Sequence, residues 1–511
     1  MNFFGINTTT KIKLKIRPEV QELTLNLKDH HKAKYLQIAG AIRYAIKQKQ
    51  VASGDALPSA RKLAEQLNTN RHTVMAAYAE LVAEGWVESQ QRSAYRVSSL
   101  LPIQSSKTTS VISTDLIATQ NTEFKWHFVR QGIRQNDKKA SDYRYNFSGG
   151  QPDIASFPFT EFNRCFAHAN QYIQPQLMSY GDSLGEPQLI AQITTYLRRV
   201  RAITDKQLMI CNGSQEALYI VSQLLLQQND LVAVEQLGYP PAWEAFKSTG
   251  AKLVAIKQDE QGMIPEHLEE VLKKSKVKLI YLTPLHQYPT TITLSISRRM
   301  QIYQLAVNYG VAIVEDDYDH EFHYKCQPLA PMAADDAAGL VIYISTFSKL
   351  MFGAARIGYL VANSAFIEQA AAFKTLINHK SNVMLQQAVA YWMKTGGFER
   401  HLRRMTKRYQ QRRDAMVVLL TAYQRQGYPI SFQIPDGGMA LWVNMGKSVL
   451  ELKKQLFDID VYLQTGIEFD LCADKKESSQ HIRLGFAAMT EQQAKEGLQL
   501  IINHLYGEIN Q

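Results

Sequence analysis

Lys349 lies in Tyr343-Ile344-Ser345-Thr346-Phe347-Ser348-Lys349, directly after an apolar run with the pattern of a buried strand, and Arg356 follows seven residues later. Thirty-three residues before the lysine stands Asp316, where Val311-Ala312-Ile313-Val314 runs into Glu315-Asp316-Asp317-Tyr318. A lysine, an acid and a tyrosine at the carboxyl ends of two strands are the parts that hold pyridoxal phosphate. That cofactor needs an imine-forming amine, an acid to keep its pyridine nitrogen protonated, a donor to its phenolate oxygen and a cradle for its phosphate. Lys349 supplies the amine. Asp316 is matched to the ring nitrogen by its two-residue spacing to Tyr318, ahead of the rival acids Glu315 and Asp317, and Tyr318 meets the phenolate.

The cradle is read in Asn212-Gly213-Ser214-Gln215-Glu216-Ala217, a strand-to-helix turn offering N–H groups and a hydroxyl at a positive helix end. Alone, Gly213, Ser214 and Gln215 would as readily make an ordinary capped turn; with Thr346, Ser348 and Arg356 they gain weight. Tyr239, in Leu237-Gly238-Tyr239-Pro240-Pro241, is expected to stack on the ring. His286, in His286-Gln287-Tyr288-Pro289-Thr290, is expected at the same sheet edge beside the ring oxygen.

These residues need a scaffold that brings strand ends together. From Tyr145 onward apolar strands alternate with helical patterns, as at Leu208–Cys211, Leu231–Glu235, Lys252–Ile256, Leu279–Thr283, Val311–Glu315 and Val341–Ile344. That alternation predicts a mostly parallel sheet covered by helices. After Gln369 long helical segments resume, and a smaller α+β part closes the chain near Ile482–Phe486.

The beginning of the chain reads differently. Tyr35, Ile38, Ala39, Ile42 and Ile46 recur at helical spacing; Ser59 caps a second helix over Ala60–Leu67, and Asn68-Thr69-Asn70 leads into a third from Arg71 to Glu84. Gly85 ends it, and Trp86–Val97 alternates as a two-stranded wing. A helix-turn-helix sets the start of its second helix against base edges; here that start is Asn70, Arg71, His72 and Thr73, and Arg61 is expected among the DNA-binding residues. Between Lys32 and Ser98 there are ten Lys/Arg against five Asp/Glu, half of the chain's net +10. Such a small basic domain favours a polyanionic partner. The expected division is an N-terminal arm at 1–30, a DNA-reading domain at 31–98, a Ser/Thr/Gln/Lys-rich linker at 99–142 and the cofactor domain at 143–511.

At 511 residues the chain is long enough for several cores. Cys165, Cys211, Cys326 and Cys472 are scattered without metal-ligand spacing, so free thiols and no metal site are expected. No apolar run approaches the roughly 18 residues of a membrane span, and the start lacks a signal-peptide core, so a cytoplasmic protein is expected.

Gly54, Leu57-Pro58-Ser59, Arg61, Leu63-Ala64, Arg71-His72-Thr73-Val74, Ala77-Tyr78, Leu81 and Glu84-Gly85-Trp86 make the first domain resemble the GntR family of bacterial regulators. Its wing tip, Gln90-Gln91-Arg92-Ser93-Ala94-Tyr95, lacks the glycines usual there. The region from Tyr145 looks like a fold-type I aminotransferase, an α/β fold, and the whole multidomain chain resembles the MocR subfamily of GntR regulators. The resemblance implies a homodimer that binds a double-stranded DNA operator, with pyridoxal phosphate in an internal aldimine on Lys349 and an amine, an amino acid or the cofactor itself as effector. It also implies that Tyr180, in Tyr180-Gly181-Asp182-Ser183-Leu184-Gly185, reaches the partner subunit's phosphate. Arg483, in His481-Ile482-Arg483-Leu484-Gly485-Phe486, matches the arginine that clamps a carboxylate bidentately. Two departures stand out: Pro289-Thr290-Thr291 replaces Pro-Thr-Gly, and Tyr288 replaces the asparagine of working aminotransferases. The latter favours a regulator with little or no transaminase turnover. An active aminotransferase with an appended DNA-binding module is the alternative, and a purely structural cofactor is a third reading.

Overall fold

The computed structural model describes residues 11–15, 22–26, 33–90, 94–101, 140–179, 181–325, 329–472 and 478–507. The chain divides into two compact units, Met1–His127 and Phe128–Gln511. Most of the expected linker, residues 102–139, lies outside the described residues, as do Cys326, Arg92 and Tyr180.

In the first unit, β1 (Lys11–Lys15) and β2 (Glu22–Asn26) pair as an antiparallel hairpin within the arm. Helix α1 (Lys34–Lys47) turns Ile38, Ile42 and Ile46 inward against Leu63 and Ala64 of α2 (Ala60–Gln66) and Val74, Ala77, Tyr78 and Leu81 of α3 (Arg71–Ala83). Ser59 Oγ accepts from the Lys62 amide at 3.3 Å and Asn70 Oδ1 from the His72 amide at 2.9 Å, so both helices begin on a side-chain cap. Gly85, at φ 75°, takes the left-handed conformation that stops α3. The wing has three strands rather than two: β3 (Ala56–Leu57), β4 (Val87–Gln90) and β5 (Ala94–Val97), with β5 central. At two residues β3 is too short to show a period.

The second unit is built on seven strands: β6 (Gln207–Cys211), β7 (Leu231–Glu235), β8 (Lys252–Ile256), β9 (Val277–Leu282), β10 (Ala312–Asp316), β11 (Val341–Thr346) and β12 (Gly358–Ala362). Their order is β6-β12-β11-β10-β9-β7-β8, and β12 alone runs against its neighbours. Helices cover both faces, which is why β11 is buried at every position and reads as continuous apolar chain. Alternation splits the core: Ile280, Leu282, Ile313 and Tyr343 face one side, and Leu279, Tyr281, Val314 and Ile344 the other. Helices α4 (Phe159–Gln171) and α5 (Pro187–Arg201) come before the sheet, and its parallel strands need long crossovers, here α6 (Ser214–Leu225), α7 (Pro240–Lys247), α8 (Pro265–Lys274) and α9 (Ile296–Tyr309). The antiparallel step from β11 to β12 needs none. Its short connection, residues 347–357, therefore stays at the carboxyl edge of the sheet and carries both Lys349 and Arg356.

A smaller antiparallel sheet follows, with β13 (Ser431–Phe432), β14 (Ala440–Asn444), β15 (Gln464–Thr465) and β16 (His481–Gly485) in the order β13-β14-β16-β15. It places Arg483 opposite Trp442 and Gln464. No helix among the described residues is long and apolar enough to cross a membrane.

Candidate functional site

At the carboxyl edge of the large sheet, where ligands of open α/β sheets gather, lies a cavity of about 240 Å³. The ends of β6, β9, β10 and β11 supply Ser214 and Gln215, Tyr281 and Thr283, Asp316 and Tyr318, and Thr346, Ser348 and Lys349. Tyr239, Tyr288, Gly353 and Arg356 complete the lining.

The acidic run separates by strand alternation. Asp316 shares a face with Tyr281, whose hydroxyl donates to its Oδ2 at 3.0 Å; its Oδ1 is buried with no hydrogen-bond partner among the described residues. Burial raises the carboxyl to about 7, opposed by the Tyr281 hydrogen bond. Glu315 and Asp317 face the other side. Glu315 accepts from the Met332 and Ala333 amides at 2.9 and 3.0 Å. Asp317 is a core ion pair with Arg201 at 2.6 Å and accepts from the Tyr343 hydroxyl at 2.7 Å. Burial pushes the Asp317 carboxyl up, but Arg201, His320 and the Tyr343 hydrogen bond together hold the group below the usual range.

Burial, then the Arg483 guanidinium, depresses the basicity of the Lys349 amine. A neutral amine is the nucleophilic form, so this environment suits condensation with a carbonyl. Its Nζ lies beside Gly150, where an added Cβ would stand 3.1 Å away.

The phosphate-sized end of the cavity is a ring of donors. Gly213, at φ 83°, opens the N-terminus of α6. A Cβ there would stand 2.7 Å from Arg356 Nη2, so glycine is required both by conformation and by space. Arg356, itself left-handed at φ 49°, donates from Nη2 to the Asn212 carbonyl at 2.6 Å. Thr346 Oγ1 donates to Ser348 Oγ at 2.9 Å and accepts from the Ser348 amide at 3.1 Å. Helix-end amides, two hydroxyls and an exposed guanidinium together suit a dianion.

The structure thus brings together Lys349, Asp316, Tyr318, Thr346, Ser348, Arg356, Gly213, Ser214, Gln215 and Tyr239. Tyr318 donates to the His286 carbonyl at 3.0 Å. His286 is not among the cavity's lining residues. Its ring is held behind by Asp319 at 2.7 Å and stacks on His323 at 5.8 Å, so it departs from the expected place beside the ring oxygen. Arg483 is 1% exposed, with Nε and Nη1 lacking hydrogen-bond partners among the described residues. Tyr180 lies outside the described residues. Tyr281, which aims Asp316, was missed. Its signal was a hydroxyl inside the apolar stretch 279–282, where burial demands a partner.

In the first unit the capped start of α3 exposes Asn70, Arg71 and His72, with Thr73 half-buried. Met75, Ala76 and Ala79 extend the same exposed face, apolar side chains of the kind that can meet thymine methyl groups. Arg61 is exposed on α2 and pairs with Glu65 at 3.3 Å, a weak surface contact open to exchange for phosphate.

Residues 146–501 match the family described as aminotransferase class I and II, and residues 34–97 match that described as bacterial regulatory proteins, gntR family. The chain is 32% identical over 390 residues to a probable rhizopine catabolism regulatory protein, MocR, of Rhizobium meliloti, covering 75% of this chain and 76% of that one. It is 28% identical to the HTH-type transcriptional regulator TauR of Rhodobacter capsulatus, covering 88% and 92%. Among solved structures, the kynurenine aminotransferase of Pyrococcus horikoshii superposes with a TM-score of 0.66 at 28% identity, covering 71% of this chain and 91% of that one.

Proposed function

The chain belongs to the aminotransferase class I and II family and, through its gntR-family domain, to the MocR-type regulators; from that premise we propose that it reads a small amine or amino acid at Lys349 and answers at a DNA operator. It is a pyridoxal-phosphate-dependent transcriptional regulator. The cofactor, when bound, supplies an aldehyde that condenses with primary amines and a ring that withdraws electrons. The residues around the cavity fit it. The unpartnered Asp316 Oδ1 would meet the ring nitrogen, Tyr318 the phenolic oxygen and Tyr239 the ring. The α6 N-terminus, Thr346, Ser348 and Arg356 would hold the phosphate, and Arg483 would clamp an effector carboxylate.

The observation that carries this reading is the pairing, in one chain, of an enclosed lysine opposite an unpartnered acid with an exposed, capped recognition helix. Asn70, Arg71, His72 and Thr73 contact bases and phosphates, and Arg61 a phosphate. A homodimer is the functional form, acting in the cytoplasm where the operator is. Exposed Met178, Leu376 and Ile377 support an apolar interface; Lys380 Nζ donates to the Leu177 carbonyl at 3.1 Å, which ties their two segments together. Tyr180, two residues after Met178 in the sequence, would then serve the second copy's phosphate. Operator titration of the parent chain and Lys349→Ala, each with and without pyridoxal phosphate and a panel of amines, tests the reading. A ligand-dependent shift in the parent alone is expected; equal shifts in both chains overturn it.

A working transaminase is the second reading, favoured by the 28% identity to the Pyrococcus horikoshii enzyme and by the presence of both Lys349 and Arg483. Keto-acid release from amino donors over many turnovers would establish it.

A further inference from the structure

Arg483 carries a buried charge whose Nε and Nη1 have no hydrogen-bond partner among the described residues. An unpaired buried cation is costly, so something else must stabilise it. The nearby acid Glu468 is engaged elsewhere, accepting from the Thr465 amide at 2.9 Å and pairing with Lys453 at 2.8 Å. What meets the guanidinium is the face of Tyr288, whose ring centre lies 4.3 Å from Cζ. The negative face of an aromatic ring attracts a cation at this range. Tyr288 lines the cavity, whereas Arg483 is not among the lining residues. The ring packs edge-on against Tyr239 at 5.1 Å, Tyr318 at 5.9 Å and Phe469 at 5.4 Å. The main chain also closes in on the guanidinium, since a Cβ on Gly149 would overlap the Arg483 side chain.

We propose that Tyr288 is a displaceable cover over Arg483, which a carboxylate-bearing ligand must move aside to reach the guanidinium. The inference rests on the reading of Arg483 as the carboxylate clamp. The Tyr288 ring stabilises the guanidinium while the site is free, and a carboxylate replaces that contact with an ion pair on binding. Discrimination therefore becomes a competition between carboxylate and ring, and weak or misplaced carboxylates lose it. The departure of the ring also disturbs Tyr239 and Tyr318, both lining the same cavity, so carboxylate binding changes the cofactor's surroundings in a way that a plain amine does not.

The test uses the full chain loaded with pyridoxal phosphate and two probes, alanine and ethylamine, which differ by the carboxylate alone. Apparent affinities are read from the cofactor's absorbance. Tyr288→Ala should raise the alanine-to-ethylamine affinity ratio about tenfold, while Tyr288→Phe, which keeps the ring, should hold the parent ratio. An unchanged or lowered ratio in Tyr288→Ala overturns the cover. The ratio cancels general losses of cofactor affinity, and Tyr288→Asn repeats the test should the alanine variant fold poorly. Arg483→Gln should bring the ratio close to one; if it leaves the ratio intact, the clamp reading fails independently of Tyr288. In the cofactor-free chain, phenylglyoxal should modify Arg483 faster in Tyr288→Ala than in the parent, and equal rates count against the cover.

Discussion

The recognition helix and the cofactor cavity place their working residues in opposite surroundings. On α3, Arg71 and His72 stand in water, and the cap beside them, the His72 amide donating to Asn70 Oδ1 at 2.9 Å, closes within two residues. Around Lys349, apart from the local Thr346–Ser348 contact, the pairs come from distant parts of the chain: Tyr281 and Asp316 are 35 residues apart, Arg356 and Asn212 144. The first surface meets a large polyanion by charge and shape and needs little preorganisation. The second must hold a small molecule in fixed orientation, and it does so with buried groups left unpaired until that molecule arrives. Exposed contacts can be changed singly at modest cost, whereas cavity groups fail together.

Replacing Asp316 by Asn should have the largest effect. Hydrogen bonds to charged groups are worth roughly 1.5–3 kcal/mol, so cofactor affinity should fall about 10- to 100-fold by equilibrium dialysis. Parent-like affinity would detach the ring nitrogen from this carboxylate. The same substitution has a signature in the cofactor-free chain. Burial raises the Asp316 carboxyl from 3.8 to about 7, so across that interval the folded state keeps a proton the unfolded chain has lost. Its contribution to stability is whole at the acid end and is lost as pH climbs to the folded value. Asp316→Asn should therefore gain on the parent between pH 5 and 7, by up to roughly 1.4 kcal/mol per unit. Urea unfolding across that range measures it; a pH-independent difference would mean the carboxyl is ionised throughout.

Arg71→Ala is the matching change on the exposed side. It should weaken operator binding by roughly 1–3 kcal/mol and, where the contact is to phosphate, lower the salt slope by about one. Fluorescence anisotropy at several salt concentrations reads both, and unaltered binding would remove Arg71 from the interface. Asn70→Ala should be smallest: loss of the cap, about 1 kcal/mol, should speed hydrogen exchange in the first turn of α3 about fivefold. Unchanged exchange would show that the cap does not hold that turn.

The contrast also decides what could be read from the chain alone. The helix starts at Ser59 and Asn70 are local chemistry, so the winged fold was legible almost to the residue, apart from the two-residue β3. Lys349 and Asp316 were legible because one closely follows an apolar strand and the other ends one. The choice of Asp316 over its neighbours rested on spacing, and alternation supplies its physical reason: Tyr281 lies on one face and Arg201 on the other. His286 could not be placed from sequence, because its partner Asp319 comes from another strand end 33 residues away. Tyr281 was hidden in the same way, and the cover formed by Tyr288 depends on Arg483 arriving from the smaller sheet. Side chains that act through distant partners leave only a residue type in the sequence.

The direct test of the account is borohydride reduction of the purified chain with pyridoxal phosphate, followed by peptide mass spectrometry, with Lys349→Ala in parallel. The account predicts a stable pyridoxyl adduct on Lys349 in the parent and no specific adduct in the variant. An unmodified Lys349, or the same adduct pattern in both chains, would contradict it.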